Sequence, residues 1–392
     1  MIDRLAGAPP VAVVGGVVRD VLVGASPVDL DLVVEGPIGE VVELIGGQRL
    51  DGDLRAHERF RTAQLTLAGQ RLDIASARSE RYDQPGALPR VAPATIERDL
   101  ERRDFTVNAI AVPVNGPGAG DLVAARHALD DLAAGNLRVL HDRSFEDDPT
   151  RLLRLARYAA RLDFTIDGHT LALASAAIRG GALATVSGTR IGNELRLLAR
   201  EPDPIRALAA TRELGIDRAL HPEFGLTDDA WAARGLELLG DAGAPERLVL
   251  ALAVRRLAPE PVRTLLDRLA FAREDRDAIV AAASTAPALS AALGAATRPS
   301  EVAAAVDGAG PEAIALAGAI GPADAARSWL SELRHMELLI DGRDLLDAGL
   351  PPGPAIGRGL AAARAAALDG RASDRQAQLE VAIGAARAAA AG

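Results

Sequence analysis

Cysteine is absent from all 392 residues, which excludes disulfides, thiolate-ligated zinc and thiol catalysis. Lysine is absent too, so each of the 44 basic side chains is an arginine. Aromatic residues make up only 3 %, too few for the ring platforms on which RRM and single-strand-binding modules stack bases. The net charge of −10 argues against a protein that coats nucleic acid over its whole surface, but allows a confined basic groove. Long apolar runs are also missing. Arg19 and Asp20 break the run near the N-terminus, and no basic segment precedes it, so a signal peptide is not expected. Residues 280–296 contain Ser284, Thr285 and Pro287 and read as a buried helix rather than a membrane span. The remainder, 49 % hydrophobic and 25 % charged, describes a globular cytoplasmic protein with no membrane partner and room for two or three modules.

Two phosphate-binding signatures, G-x-G-x-x-G and G-K-[ST], do not occur either. The chemistry sits instead in Val11 to Gly36, VAVVGGVVRDVLVGASPVDLDLVVEG. A β-type run, Val11–Val14, meets Gly15 and Gly16, which open a short helix bearing Arg19 and Asp20. A turn at Ser26-Pro27 leads to a second strand, Val28–Val34, which carries Asp29 and Asp31. Strand, glycine turn and helix set backbone N–H groups and a positive helix end where a phosphate can sit. Residues two apart in a strand share a face, so the two carboxylates converge and repel unless a cation lies between them. Taken alone, a Gly-Gly pair is usually a turn and an Asp-x-Asp a solvated loop. In one unit they point to Mg²⁺-dependent phosphoryl chemistry.

Further on, Gly39–Gly46 is helix-like. Strands at Arg61–Leu67 and Gln70–Ala75, joined at Ala68-Gly69, continue a mixed sheet. Asp73 is a candidate third carboxylate or, equally, an edge residue facing solvent. Ser76–Glu97, with Pro85, Pro89, Pro93 and little periodicity, predicts a long loop, either a substrate-facing lid or plain surface. Arg98–Pro113 runs from a charged turn into an apolar segment. From about Ser144 the pattern is helical, with Gly/Pro joints near 225, 243–245, 322 and 351–354 and no solenoid repeat. Asp148 and Pro149 read as N-cap and N1 of a helix whose apolar stripe is Leu152, Leu155, Ala156, Ala159 and Leu162. Arg151, Arg154, Arg157 and Arg161 give it a basic face, solvated or RNA-binding. The expected architecture is α+β, a small mixed-sheet head followed by an all-helical arm.

The motifs GGVVRDVLVG…DLDLVVEG, RLDIASARSERY…GALPRV…RDLERRDFTVNAIAV and LRVLHDRSFEDDPTRLLRLARYAARLDF, in this order, resemble the class II tRNA nucleotidyltransferase/poly(A) polymerase family. LIDGRDLLDAGLPPGPAIGRGL is similar to the C-terminal part of bacterial CCA-adding enzymes. The resemblance implies a nucleotidyltransferase head at 1–142, a neck at 143–203, a body at 204–300 and a tail at 301–392 that binds tRNA. It implies that Gly15, Gly16 and Arg19 face the triphosphate, and that Asp29 and Asp31 bind Mg²⁺ with Asp73 as the third acidic residue. Arg103, Asp104 and Asn108 match the ribose motif. Asp148 and Arg151 match the amino-acid template for the incoming base, with Arg154 and Arg157 further along that helix as nucleotide or RNA contacts. Two positions depart from the pattern: Asp147 replaces the glutamate of E-D-x-x-R, and Thr189 replaces the glutamate before Arg190 in GTRIGNELRLLAR. His141-Asp142 has no companion histidines and reads as a loop.

The base chemistry agrees with the template. Cytosine and adenine present an amino donor beside a ring-nitrogen acceptor, whereas uracil and guanine present the reverse. A carboxylate only accepts and a guanidinium only donates, so Asp148 with Arg151 satisfies C and A and leaves U and G facing like groups. The resemblance thus implies addition of the 3′-terminal CCA to tRNA from CTP and ATP, with two Mg²⁺ and no protein partner. An A-adding enzyme stays open. A CC-only enzyme is opposed by the full-length Ser76–Glu97 segment. A poly(A) polymerase is opposed by the tail after Ala361, where four arginines meet three acidic residues. An inactive RNA-binding protein is opposed by the intact Asp29/Asp31 pair.

Overall fold

Alternation in the first strands creates a sheet with two usable faces, and everything at the site hangs on which residue falls on which face. The computed structural model describes residues 5, 7–27, 30–46, 55–57, 62–67 and 70–391. They form two compact units, Met1–Leu220 and His221–Gly392. The first unit opens with β1 (Val11–Val14), α1 (Gly16–Leu22), β2 (Leu30–Val34) and α2 (Ile38–Gly46). Next come β3 (Arg55–His57), β4 (Thr62–Leu67), β5 (Gln70–Ser76), β6 (Arg78–Arg81), β7 (Arg90–Pro93), α3 (Ile96–Glu101), β8 (Ile110–Pro113) and β9 (Val123–Ala124). The sheet order is β3-β4-β5-β2-β1-β8-β9. β2 and β5 run parallel and the neighbouring pairs antiparallel, so the sheet is mixed.

One face buries Val11, Leu32, Val34, Leu65, Leu72 and Ile74 beneath Val41, Val42 and Ile45 of α2. The other packs Ala12, Val14, Val33 and Ala111 against Ile96 and Leu100 of α3. Asp31 and Asp73 belong to this second face by the period of two. The remaining elements of the unit are α4 (Ala128–Ala134), β10 (Asn136–Leu137), α5 (Ser144–Asp147), α6 (Thr150–Leu162), β11 (Thr165–Ile166), α7 (Gly168–Arg179), α8 (Gly188–Ala199), α9 (Pro204–Leu214) and α10 (Ile216–Leu220). α6 buries Leu152, Leu153, Leu155 and Ala156 and packs on α8 and α9.

Several expectations need correction. Ser76–Glu97 is not an irregular loop: β6 and β7 pair in register from Arg78↔Pro93 to Arg81↔Arg90, a hairpin that lacks alternation because all four β7 residues are exposed. The structure begins α6 at Thr150 with Pro149 as N-cap, one residue later than expected. Asp148 nevertheless does the capping work, since its Oδ1 accepts from the Thr150 N–H at 3.0 Å. The arginine face of α6 is only partly solvated: Arg161 is exposed, whereas Arg151 and Arg157 are buried and Arg154 is half-buried, with Glu194 and Glu201 pairing the last two (below). Val28 and Asp29, and the Ala68-Gly69 turn, lie outside the described residues.

The second unit is helical: α11 (Asp229–Leu239), α12 (Pro245–Val254), α13 (Pro259–Arg268), α14 (Arg273–Ala295), α15 (Pro299–Ala305), α16 (Pro311–Ile320), α17 (Ala323–Ser331), α18 (Gly342–Asp347), α19 (Pro354–Leu368) and α20 (Arg375–Ala391). α14 is long and apolar enough to cross a membrane, but Ile279, Val280, Ala283, Ala286, Leu289 and Leu293 form a buried stripe, and α12, α13 and α16 pack on it. α19 and α20 meet through small residues, with Gly359 and Ala363 against Ala382 and Ala386. A Cβ on Gly359 would stand 2.6 Å from the Ala382 carbonyl oxygen, a backbone atom that cannot swing away. Gly359→Val should therefore destabilise this unit by about 1–3 kcal/mol. The check is urea unfolding followed by helical circular dichroism, and an unchanged midpoint would mean the two helices separate without cost.

Candidate functional site

The site begins at the glycine turn. Gly15 has φ +72°, a left-handed conformation that costs glycine little, and its N–H donates to the Ile110 carbonyl at 2.9 Å. A Cβ there would stand 2.5 Å from Nη1 of Arg103, so the arginine can pack flat on the turn only because the residue is glycine. Arg19, 2 % exposed, lies beneath the turn. Its Nη1 donates to Asn108 Oδ1 at 2.5 Å, and its Nε and Nη2 donate to Asp20 Oδ1 at 2.8 and 2.6 Å.

Asp104 is the hub of the ribose motif. Its Oδ1 accepts from the Phe105 N–H (2.8 Å) and Asn108 Nδ2 (3.0 Å), while Oδ2 accepts from Arg154 Nε (2.8 Å) and Nη2 (2.7 Å). Burial acts to raise its pKa, but Arg154, Asn108 and Arg151 outweigh it and hold the carboxyl well below the usual range. Arg154 is pushed the other way, its charge fixed by Asp104, Tyr158 and Glu194 against the cost of burial. Arg103, by contrast, is lowered by burial, and the Asp99 carboxylate 3.2 Å from Nη2 offsets this only in part.

The carboxylate pair lies on the sheet. Asp31 and Asp73 are directly opposite on β2 and β5. Gln64 Nε2 donates to Asp73 Oδ1 at 2.7 Å, and Arg71 stands 3.2 Å from Oδ2. Asp29, the residue expected to complete the pair with Asp31, lies outside the described residues. Among those described there is no cluster of three potential ligands. Two carboxylates on neighbouring parallel strands, with no sulfur or imidazole among the described residues lining the cavities there, are nevertheless a donor set suited to a hard divalent cation. A cavity of about 380 Å³ opens over them, lined also by Val14, Val33, Arg102 and Arg103.

A larger cavity, about 610 Å³, brings the motifs together: Gly16, Asp31, Arg103, Asp104, Asn108, Asp148, Arg151 and Arg154 all line it. The Asp148 and Arg151 side chains do not bond to each other, although the Arg151 N–H donates to the Asp148 carbonyl at 3.0 Å. Asp148 Oδ1 accepts from the Thr150 hydroxyl at 2.6 Å and stands 2.7 Å from Arg190 Nη2. Arg151, 5 % exposed, donates to Ser144 Oγ and to the Arg102 carbonyl, both at 2.7 Å. A guanidinium carries five N–H donors, so these two bonds fix its plane without exhausting it. Arg157 does not line this cavity. It is buried against Glu201 (3.2 Å) and Glu194 (3.5 Å), and Arg161 is 3.5 Å from Glu201. These pairings remove Arg157 from any solvated basic face.

The cavity is also lined by residues that were not among the expected site residues. Glu80 accepts from Arg78, from Arg102 (3.0 Å) and from the Tyr82 hydroxyl (2.8 Å). Burial and the Glu80 charge push the Tyr82 phenol far above its ordinary pKa. Tyr158 carries the guanidiniums of Arg19, Arg154 and Arg157 within 5.5 Å of its ring, and Phe105 meets it edge-on. Arg190 lines the cavity as well. The only advance signal was position: Tyr158 follows Arg154 by one helical turn, and Glu80 and Tyr82 follow the Asp73 strand.

The described family model "Poly A polymerase head domain" matches residues 11–138. An A-adding tRNA nucleotidyltransferase of Geobacter sulfurreducens is 32 % identical over 95 % of this chain and 45 % of its own length. A CC-adding tRNA nucleotidyltransferase of Deinococcus radiodurans is 36 % identical over 89 % of this chain and 82 % of its own. Among solved structures, the Thermotoga maritima CCA-adding enzyme complexed with tRNA_CCA is 30 % identical, covers 96 % of this chain and 91 % of its own, and aligns with a TM-score of 0.72. The chain spans about half the length, or less, of the A-adding relatives it matches.

Asp104→Asn leaves Arg154 with Glu194, 3.3 Å away, as its remaining carboxylate, which should lower stability at neutral pH by up to about 3 kcal/mol. Because the folded pKa of Asp104 is depressed, its contribution is complete above the unfolded value near 4 and shrinks as pH falls below it. Urea unfolding of both proteins from pH 7 to pH 3.5 should show a constant gap that narrows only at the acid end. A gap independent of pH would mean that folding does not shift the Asp104 pKa.

Proposed function

The chain belongs to the tRNA nucleotidyltransferase/poly(A) polymerase family, and on that premise we propose that it adds the 3′-terminal CCA to tRNA in the cytoplasm, using CTP and ATP. The observation that carries this is the convergence of Asp148 and Arg151 on the cavity that Gly16, Asp31 and the Arg103/Asp104/Asn108 group also line. In this reading the base meets Asp148 and Arg151, the ribose meets the group around Asp104, and the triphosphate lies along Gly15 and Gly16. Arg19 supplies positive charge from beneath the turn. Head, neck, body and tail are residues 1–142, 143–203, 204–300 and 301–392, the last two carrying the tRNA.

The tRNA 3′-hydroxyl oxygen forms a bond to the α-phosphorus while the bond from that phosphorus to the pyrophosphate oxygen breaks. Asp29 and Asp31, with Asp73 opposite Asp31, would hold the divalent cation that the family generally uses, here Mg²⁺. When bound it supplies Lewis-acid stabilisation of the attacking and leaving oxygens. The protein's own share is positioning and exclusion. Arg154 and Asn108 lock Asp104 so that the ribose site is formed before a nucleotide enters. Asp148 offers an acceptor and Arg151 a donor, and U or G would leave both buried groups opposite their like. A second reading, A addition alone, is favoured by the A-adding function of the Geobacter relative.

The deciding assay supplies each nucleoside triphosphate to tRNA lacking CCA, tRNA lacking only the terminal A, and mature tRNA, and sequences the ends. Complete CCA on the first is expected. Growth on the CC-ended tRNA alone would establish the A-adding reading, and stopping at CC would exclude both. Asp31→Ala should abolish incorporation in Mg²⁺ while tRNA binding persists, and near-normal turnover would reject the cation assignment. Arg151→Ala removes one charge-assisted hydrogen bond, worth about 1.5–3 kcal/mol, so discrimination of C and A against U and G should fall roughly ten- to a hundredfold. Equal losses on all four nucleotides would mean that Arg151 only supports α5 and the Arg102 turn.

A further inference from the structure

Arg190, near the start of α8, touches two elements that are far apart in the sequence. Its Nη2 stands 2.7 Å from Asp148 Oδ1 between α5 and α6. Its Nη1 donates to the carbonyl of Gly86, at the tip of the β6–β7 hairpin, at 3.1 Å. We propose that Arg190 is a positioning residue for base selection, which holds the Asp148 carboxylate in its reading orientation while the hairpin tip is seated.

The hairpin tip has a fitted seat. The Gly86 N–H donates to the Glu146 carbonyl on α5 at 3.0 Å. Gly86 adopts φ +70°, and a Cβ there would collide with Thr185 Oγ1 and stand 2.8 Å from the Thr185 carbonyl oxygen. Only glycine seats the tip at this depth, and only at this depth does its carbonyl reach Arg190. Asp148 itself is in extended conformation, φ −135° and ψ 91°, between two helices, so no helical packing fixes its side chain. Thr150 and Arg190 do so instead, both through Oδ1. That leaves Oδ2 as the oxygen turned to a base. A guanidinium is planar, and bonds from its two Nη atoms to two elements fix that plane, so the carboxylate and the hairpin tip set each other's position. Thr189, which stands where the family pattern has glutamate, takes no recorded part in this bridge.

The inference rests on the base-reading role of Asp148, and the test separates the two. The measurement is kcat/KM for CTP, ATP, UTP and GTP on tRNA lacking CCA and on CC-ended tRNA, for Arg190→Gln, Arg190→Lys, Gly86→Ala, the Gly86→Ala/Arg190→Gln double variant and Asp148→Asn. Arg190→Gln should lower the preference for C over U, and for A over G, about tenfold. Arg190→Lys, which reaches one acceptor but not both, should fall between it and the parent. Gly86→Ala, altered on a different element, should shift the preference in the same direction. The double variant should be no worse than Arg190→Gln alone, because both changes break one bridge. Asp148→Asn should lower the preference whatever Arg190 does. If Asp148→Asn shifts the preference but Arg190→Gln slows all four nucleotides equally, Arg190 merely props the helices and the proposal is overturned. Multiplicative effects of Gly86→Ala and Arg190→Gln would overturn the link to the hairpin. Unchanged preference in Asp148→Asn would instead overturn the base-reading assignment, and the role of Arg190 with it.

Discussion

A carboxylate taken out of water has to be compensated within hydrogen-bond distance, and Asp104 is compensated by two elements at once. One is its own turn, through the Phe105 N–H and Asn108. The other is α6, through the Arg154 fork. Asn108 passes the constraint to Arg19 and so to the glycine turn at the end of β1. Asp104 is thus one link, beside the Arg151 bond to the Arg102 carbonyl, that ties the turn carrying Asn108 to the helix carrying Arg151. This oxygen pair is one of the links by which the separate motifs of the first unit line a single cavity.

The cavity is crowded with charge but nearly balanced, six arginines against five carboxylates among its lining residues. Most of these charges are already committed to each other: Arg102 to Asp99 and Glu80, Arg154 to Asp104 and Glu194, Arg190 to Asp148. The commitment explains why the surface is acidic overall while the site still presents oriented donors. Fixed donors lose little on meeting a ligand, because they do not have to be gathered from solvent first.

Much of the first unit was legible because its signals are periodic. β1 falls on Val11–Val14 as read, α1 opens at the glycines, and the Leu152/Leu155/Ala156 stripe of α6 is buried. What was not legible was pairing at a distance. The α6 arginines looked like a solvated face because Glu194 and Glu201 are some forty residues away in sequence, and nothing local announces them. The β6–β7 hairpin escaped notice for a different reason: with β7 exposed throughout, it has no apolar alternation to read. Its conformation is set by cross-strand register and by the seat of Gly86 rather than by burial of its own side chains.

The lining of the larger cavity contains neither histidine nor lysine. Histidine is the side chain whose ordinary titration falls between pH 5 and 8, and arginine keeps its proton far into alkali. The Tyr82 phenol, the one further acid whose proton is displaced here, is driven away from neutrality rather than towards it. No group that ordinarily titrates between pH 5 and 8 is therefore present among the described residues of that lining. A hydroxyl losing its proton there would find no imidazole or amine among the described lining residues, so carboxylates and the substrates' own phosphates are left as the candidate acceptors.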